Sequence, residues 1–153
     1  MAGKVKNVWT TQGSGVWVNM DSQGKKDTEI VTAVLDLTSM SPITGKRDVK
    51  KKGTVQGDEY SAPGKRTYDD PEFKFILNTK TTDLYAAMRT ASEDIAKCEI
   101  SVKVTYPWGE TFVFDAVVLG VDTPEATEDH GIVEVSVKLS ISGVVTRTVK
   151  AVV

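Results

Sequence analysis

At 153 residues the chain has the length of one domain, enough to bury one core but not two. Hydrophobic residues at 40% and charged residues at 26% are ordinary for a globular protein, and a formal net charge of −2 argues against a general nucleic-acid binder. No apolar run is long enough to span a bilayer, and the first seven residues lack the apolar stretch of a secretory signal. The single cysteine, Cys98, excludes an intramolecular disulfide and fits synthesis in a reducing cytoplasm.

Residues 1–13 have the composition of an arm: Gly3, Gly13 and the polar Thr10-Thr11-Gln12 surround one large apolar group, Trp9. Two readings of Trp9 stand open. It packs on its own domain, or it anchors the arm on a neighbouring subunit, where aromatic residues are favoured. The body, residues 14–143, opens with a short strand at Val16-Trp17-Val18-Asn19-Met20 and a polar turn at 21–27. The next strand is expected from Thr28 to Thr38. Val31, Ala33, Leu35 and Leu37 fall on one side of it and Ile30 and Val34 on the other, so it asks for cover on both faces, one of them from a partner.

Regular patterning then stops. Residues 39–71 contain Pro42, Gly45, Gly53, Gly57, Pro63, Gly64 and Pro71, and dense charge: Lys46, Arg47, Asp48, Lys50, Lys51, Lys52, Asp58, Glu59, Lys65 and Arg66. A stretch of this length is functional or disordered unless it forms a hairpin that projects from the body. We expect the hairpin, with Gly53 or Gly57 near its tip and Val49, Thr54 and Val55 in its arms. Three consecutive lysines invite a phosphate-binding reading. However, Asp48, Asp58 and Glu59 offset them and no aromatic lies beside the run as a stacking platform. A solvated or partner-facing loop is the better account.

Phe73 to Leu77 is the following strand, and Thr81-Thr82-Asp83 opens a short helix with a threonine N-cap and an acid at its positive end. Leu84, Met88, Ala91 and Ile95 make its apolar stripe, which marks a lid on the sheet. Cys98 precedes a strand and fits a small packing residue. From Glu99 to Thr105, and again from Val133 to Ile141, apolar and polar residues alternate strictly, the period of a strand with one buried and one wet face. The wet faces are Glu99, Ser101, Lys103 and Thr105 on one, and Glu134, Ser136, Lys138 and Ser140 on the other. Between them lie a hairpin turn at Tyr106-Pro107-Trp108-Gly109-Glu110, a long strand at 111–121 and an acidic loop at 122–131. Asp115, inside that long strand, is either an internal hydrogen-bonding carboxylate or solvent-facing. Residues 144–153 have strand composition and pair with their own sheet or with another subunit.

The search for chemistry yields little. Glu125, Glu128, Asp129 and His130 share one loop and are the best candidates for a metal or acid–base site, but their spacing matches no EF-hand loop, zinc motif or HExxH helix, and His130 is the sole histidine. No nucleophile elbow or phosphate-cradling loop is present, and Cys98 has no basic neighbour in sequence. The expectation is no enzyme, no catalytic residue, no metal and no cofactor.

The ordered set of features over about residues 30–143 resembles the major tail tube proteins of long-tailed bacteriophages of the lambda-like, non-contractile type. The resemblance is carried by Val34-Leu35-Asp36-Leu37-Thr38 before the long loop and by Ala62-Pro63-Gly64-Lys65 near its end. Phe73–Leu77 followed by the Asp83–Met88 helix, the Tyr106–Phe114 turn and strand, and the closing Val133–Gly143 strand complete it. Trp108 in the turn and the basic Lys50–Lys52 run depart from the family's pattern.

The resemblance implies a mainly β protein: a β-sandwich or barrel with one short flanking α-helix and a long projecting loop or hairpin. It further implies hexameric rings stacked into a tube that holds a tape measure protein, meets tail terminator and tip proteins, and conducts DNA without binding it specifically. The protein would belong to the virion tail, be synthesised in the host cytoplasm and insert in no membrane. By the same implication the 39–71 loop and the arm with Trp9 make ring-to-ring contacts. One of the two wet strand faces would line the lumen. Two alternatives remain at this point: a tube protein of a contractile tail or secretion system, and a monomeric β-sandwich binding module using Trp9, Trp17 or Trp108.

Overall fold

A computed structural model describes residues 12–122 and 131–150. Nine strands and one helix follow in the order β1 (Gly15–Asn19), β2 (Thr32–Ala33), β3 (Leu37–Met40), β4 (Gly45–Gly53), β5 (Glu59–Tyr68), β6 (Glu72–Ile76), α1 (Thr82–Glu93), β7 (Glu99–Thr105), β8 (Glu110–Asp122) and β9 (Glu134–Val149). Seven strands form one antiparallel sheet in the order β2-β1-β7-β8-β9-β6-β3, and β4 and β5 form a separate two-stranded sheet.

The two edges of the large sheet, β2 and β3, are only four residues apart in the chain, from Ala33 to Leu37. Four Cα steps reach about 15 Å at most, whereas seven flat strands would set the edges roughly 29 Å apart. The sheet must therefore curl into a half-barrel whose unpaired edges come within that reach, in keeping with the sandwich-or-barrel expectation. One bent stretch of chain closes it. Thr32 and Ala33 pair with Val18 and Trp17, the Val34 amide donates to the Val16 carbonyl, and Leu37 to Met40 then pair with β6.

The single strand expected from Thr28 to Thr38 is thus broken. It begins as a 3-10 turn at Asp27–Glu29 and kinks at Asp36, the one described non-glycine residue at positive φ (53°). The kink shifts the strand from one edge of the sheet to the other. Asp36 is held there by Asn78 Nδ2, which donates to its carboxylate at 2.6 Å, and by the Ile76 amide, which donates to its carbonyl.

Alternation then fills the inside of the curl. Val16 and Val18 from β1, Ile100, Val102 and Val104 from β7, Phe114, Ala116 and Val118 from β8, Val135, Val137 and Leu139 from β9, and Phe73 and Phe75 from β6 make one buried core. Each of these valines, leucines, isoleucines and phenylalanines contributes about 1.5–3 kcal/mol on full burial. Met88 and Ala91 close one side of the core from α1. The Thr81 hydroxyl donates to the Ile76 carbonyl and accepts from the Asn78 amide, so it ties the helix start to the strand before it instead of capping the helix.

The apolar stripe of the helix ends sooner than its spacing implies: α1 stops at Glu93, and Ile95 is 91% exposed beyond it. Cys98 is half-buried, its Sγ donating to the Ile95 carbonyl. The stretch after Gly143 continues β9 as far as Val149 and pairs with Glu110–Val113 of the same sheet, so up to that point its partner is its own chain. Gly143 (φ 77°) lies in the irregular stretch opposite Val113–Asp115.

Candidate functional site

The segment 45–68 is a projecting hairpin, as expected. Its register runs from Gly45 opposite Tyr68 to Gly53 opposite Glu59, and nearly every residue of both arms is exposed. Thr54 and Val55 belong to the tip, not to the arms. The Thr54 amide donates to the Asp58 carbonyl, the Gly57 amide donates to the Thr54 carbonyl, and Gly57 takes a φ of 94°. Half-way along, the register shifts between Arg47 and Val49, and there Gly64 lies so close that a Cβ on it would stand 2.7 Å from the Asp48 carbonyl oxygen. Arg47 donates to the Gly64 carbonyl across the same point, and Arg66 stacks over Tyr68 at the base.

The hairpin buries none of its own large side chains. Val49, Val55 and Tyr60 are exposed on it. It carries seven cations against three acids, so with a chain total of −2 the rest of the chain carries −6. Lys46 pairs with Asp69 and Lys51 with Glu59 at 3.7 and 3.9 Å. These are exposed contacts of small energetic weight.

A second exposed apolar surface lies on the closing stretch. Ile30 and Val34 face the body and are buried, while Val31 (71%) and Leu35 (46%) stand in solvent with Ala33 between them. The two-sided pattern of this segment is therefore covered on one side only.

The two wet strand faces differ sharply. On β7 the expected wet row is not wet. Residues 20–29 cross over it, and Ser101 is fully buried: its one hydroxyl proton is shared between the Ser22 carbonyl at 3.0 Å and Asp115 Oδ1 at 3.3 Å, and its oxygen accepts from the Lys25 amide. Asp115 also accepts from the Gly24 amide, so it is an internal hydrogen-bonding carboxylate. Lys103 is pinned between Asp27 at 2.9 Å and the Trp17 ring. Only Glu99 and Thr105, at the ends of that row, escape this cover, Thr105 in part.

On β9 the row stays open. Glu134 and Lys138 are exposed, Ser136 and Ser140 half-buried, and they share a face with Glu72 and Lys74 of β6 and Asp122 of β8. Thr38 donates to Glu134 and Ser136 to Glu72, each at 2.6 Å, and Lys138 pairs with Asp122 at 3.8 Å.

At the β7–β8 turn, Tyr106 stacks on Trp108 with centroids 4.7 Å apart, and the Gly109 amide donates to the Tyr106 carbonyl. Burial, and then the Glu110 carboxylate, push the Tyr106 phenol above its ordinary range. Beside it, Met40, Pro42, Ile43, Trp108 and Phe112 line a groove of ≈ 420 Å³. Among the described residues no group of three or more metal-ligating side chains occurs. Among them, too, no helix is long and apolar enough to cross a membrane. Trp9 and the Glu125, Glu128, Asp129 and His130 loop lie outside the described residues.

Solved structures share this architecture. A chain in the sheath-tube complex of an extracellular contractile injection system matches with a TM-score of 0.69 and 14% identity, over 95% of each chain. A chain from the sheath/tube terminator of such a system, in its extended state, matches with a TM-score of 0.68 and 14% identity, over 94% of this chain and 99% of that one. The fold is shared with these chains of tube-bearing particles. A chain in the tail of an empty gene transfer agent particle, solved with helical refinement and C6 symmetry, matches at a TM-score of 0.57 and 12% identity, over 87% of this chain and 95% of that one. No protein-family model matches the sequence, and no curated protein does. The higher scores of chains from a contractile system give the narrower, non-contractile resemblance no support.

Proposed function

We propose that this chain is a structural, non-enzymatic subunit of a phage-type tail tube. Six copies form a ring, rings stack into a tube, and DNA passes through the lumen into the host during ejection. The observation that carries the reading is the match of the whole fold, over nearly the full length of both chains, to chains of tube-bearing particles. The C6 symmetry of the gene transfer agent tail supports the ring of six.

The surfaces fit that use. A hairpin that cannot bury itself and carries a formal +4 suits docking on the net acidic body of a copy in the next ring, with Lys46, Arg47, Lys50, Lys51, Lys52, Lys65 and Arg66 as its cations. Val31 and Leu35 offer an apolar contact to a neighbour. The arm with Trp9 would add a further anchor. The tape measure protein inside the tube and the terminator and tip proteins at its ends are the remaining partners. In this reading the protein is made in the host cytoplasm and resides in the virion tail.

A second reading, the tube of a contractile particle, is favoured by the TM-scores of 0.69 and 0.68. Tubes seen inside a sheath in the native particle decide for it, and bare tubes decide against it. Light scattering on the purified protein tests the shared core of both readings. Large assemblies are expected, and a small monodisperse species at every concentration contradicts them.

A further inference from the structure

The outer surface of the curled sheet has two halves with opposite fates. Over β1, β7 and the first part of β8 it is roofed by residues 20–29, fastened through Ser101, Asp115 and Lys103. Over β6, β9 and the end of β8 no described segment covers it. Five of the exposed large apolar side chains lie elsewhere, Val31 and Leu35 on the closing stretch and Val49, Val55 and Tyr60 on the hairpin, while Leu119 stands out from the end of β8 itself. What the β6–β9 half presents is mainly short hydroxyls and charges.

Those charges are matched within the chain. Lys138 lies 3.8 Å from Asp122, Lys74 lies 3.8 Å from Glu72, and the remaining acid, Glu134, is hydrogen-bonded by Thr38. Two lysines thus stand against three acids, and each lysine has a carboxylate beside it. A polyanion gains affinity for a surface chiefly by replacing the counterions of its phosphates with unpaired cations. Among the described residues, this half of the sheet offers none.

We propose that the β6–β9 half of the outer face is the lumen wall, and that Glu72 and Asp122 act there as masks that keep Lys74 and Lys138 from holding passing DNA. The inference rests on the tube reading above. It withdraws the β7 row, since Ser101 lies under a roof of its own chain, and it adds Glu72, Lys74 and Asp122 to Glu134, Ser136, Lys138 and Ser140.

The test uses tubes of the full chain bearing Cys98→Ser and Ser136→Cys, labelled with a small maleimide and with a polymer-linked maleimide too bulky to enter a narrow channel. Dissociated subunits are expected to take both labels, and assembled tubes the small one only. Tubes that take the bulky label as fast as free subunits overturn the inference while leaving the tube reading intact, whereas a chain that never forms tubes overturns both. A second variant, Glu72→Gln with Asp122→Asn, addresses the masking. It is expected to retain duplex DNA in a gel-shift assay at low salt more strongly than the parent chain, whose exposed hairpin cations set the baseline, with the difference lost on adding salt. A variant that binds DNA no better than the parent overturns the masking role.

Discussion

The Ser101 hydroxyl donates to the Ser22 carbonyl oxygen at 3.0 Å, across 79 residues of sequence. This bond, with the Lys25 amide and Asp115 on the same hydroxyl, holds the 20–29 segment down on the sheet. Ser101→Ala leaves the part-buried Lys25 amide and Ser22 carbonyl without that partner, a loss of about 1 kcal/mol. Urea denaturation is expected to show a lower midpoint. An unchanged midpoint would mean that the segment is held by its other contacts.

Stability and assembly should separate in the hairpin. Gly64→Ala places a methyl group against the backbone at Asp48, so the bulge must shift. The hairpin shares none of the buried core. Thermal denaturation of the body should therefore stay close to the parent, while sedimentation shows assembly impaired. Deleting Val55–Gly57 from the tip should act the same way, giving a folded subunit that no longer polymerises. Unfolding of either variant would place the hairpin inside the cooperative unit.

The charge split between hairpin and body makes a salt prediction. Exposed opposite charges are screened over about 8 Å at physiological ionic strength and over about 3 Å at 1 M. Assembly followed by light scattering should weaken as sodium chloride is raised. Scattering that grows with salt would instead assign the contacts to apolar surface.

Val31 and Leu35 are apolar but exposed in the single chain. Substituting both by aspartate should change subunit stability by no more than about 0.5 kcal/mol per site. Ring formation, read by size-exclusion chromatography, should be lost. Intact rings would remove this stretch from the interfaces.

Tyr106 gives a pH dependence whose sign follows from burial. Its folded-state pKa is raised above 10.0, first by desolvation and then by Glu110. The folded chain therefore holds the phenolic proton more tightly than the unfolded chain does. The associated stability is fully present below pH 10.0 and is lost as the pH rises through the folded value. Tyr106→Phe should flatten that part of the alkaline decline in Tm, and an equal decline in both proteins would assign it to other groups.

Much of the sheet was legible because a strand with one buried face alternates its side chains. The span 99–105 coincides with β7, and Val135, Val137 and Leu139 turned inward as their spacing required. The same rule could not say what lies on the polar side. Ser101 reads as solvent-facing because the segment that roofs it, 20–29, is itself polar and carries no periodicity. The kink at Asp36 escaped for the opposite reason: Val31 to Leu37 has continuous strand composition, and only the need to reach the far sheet edge breaks it. The hairpin was legible from its turn residues and charge, but the extent of its arms was not, because a strand buried on neither face has no alternation to show.

The most direct measurement of the central claim is negative-stain electron microscopy of the purified full chain over a range of concentrations. The account predicts sixfold rings and, at higher concentration, tubes built by stacking them. A protein that remains a featureless monomer under every condition tried would contradict it.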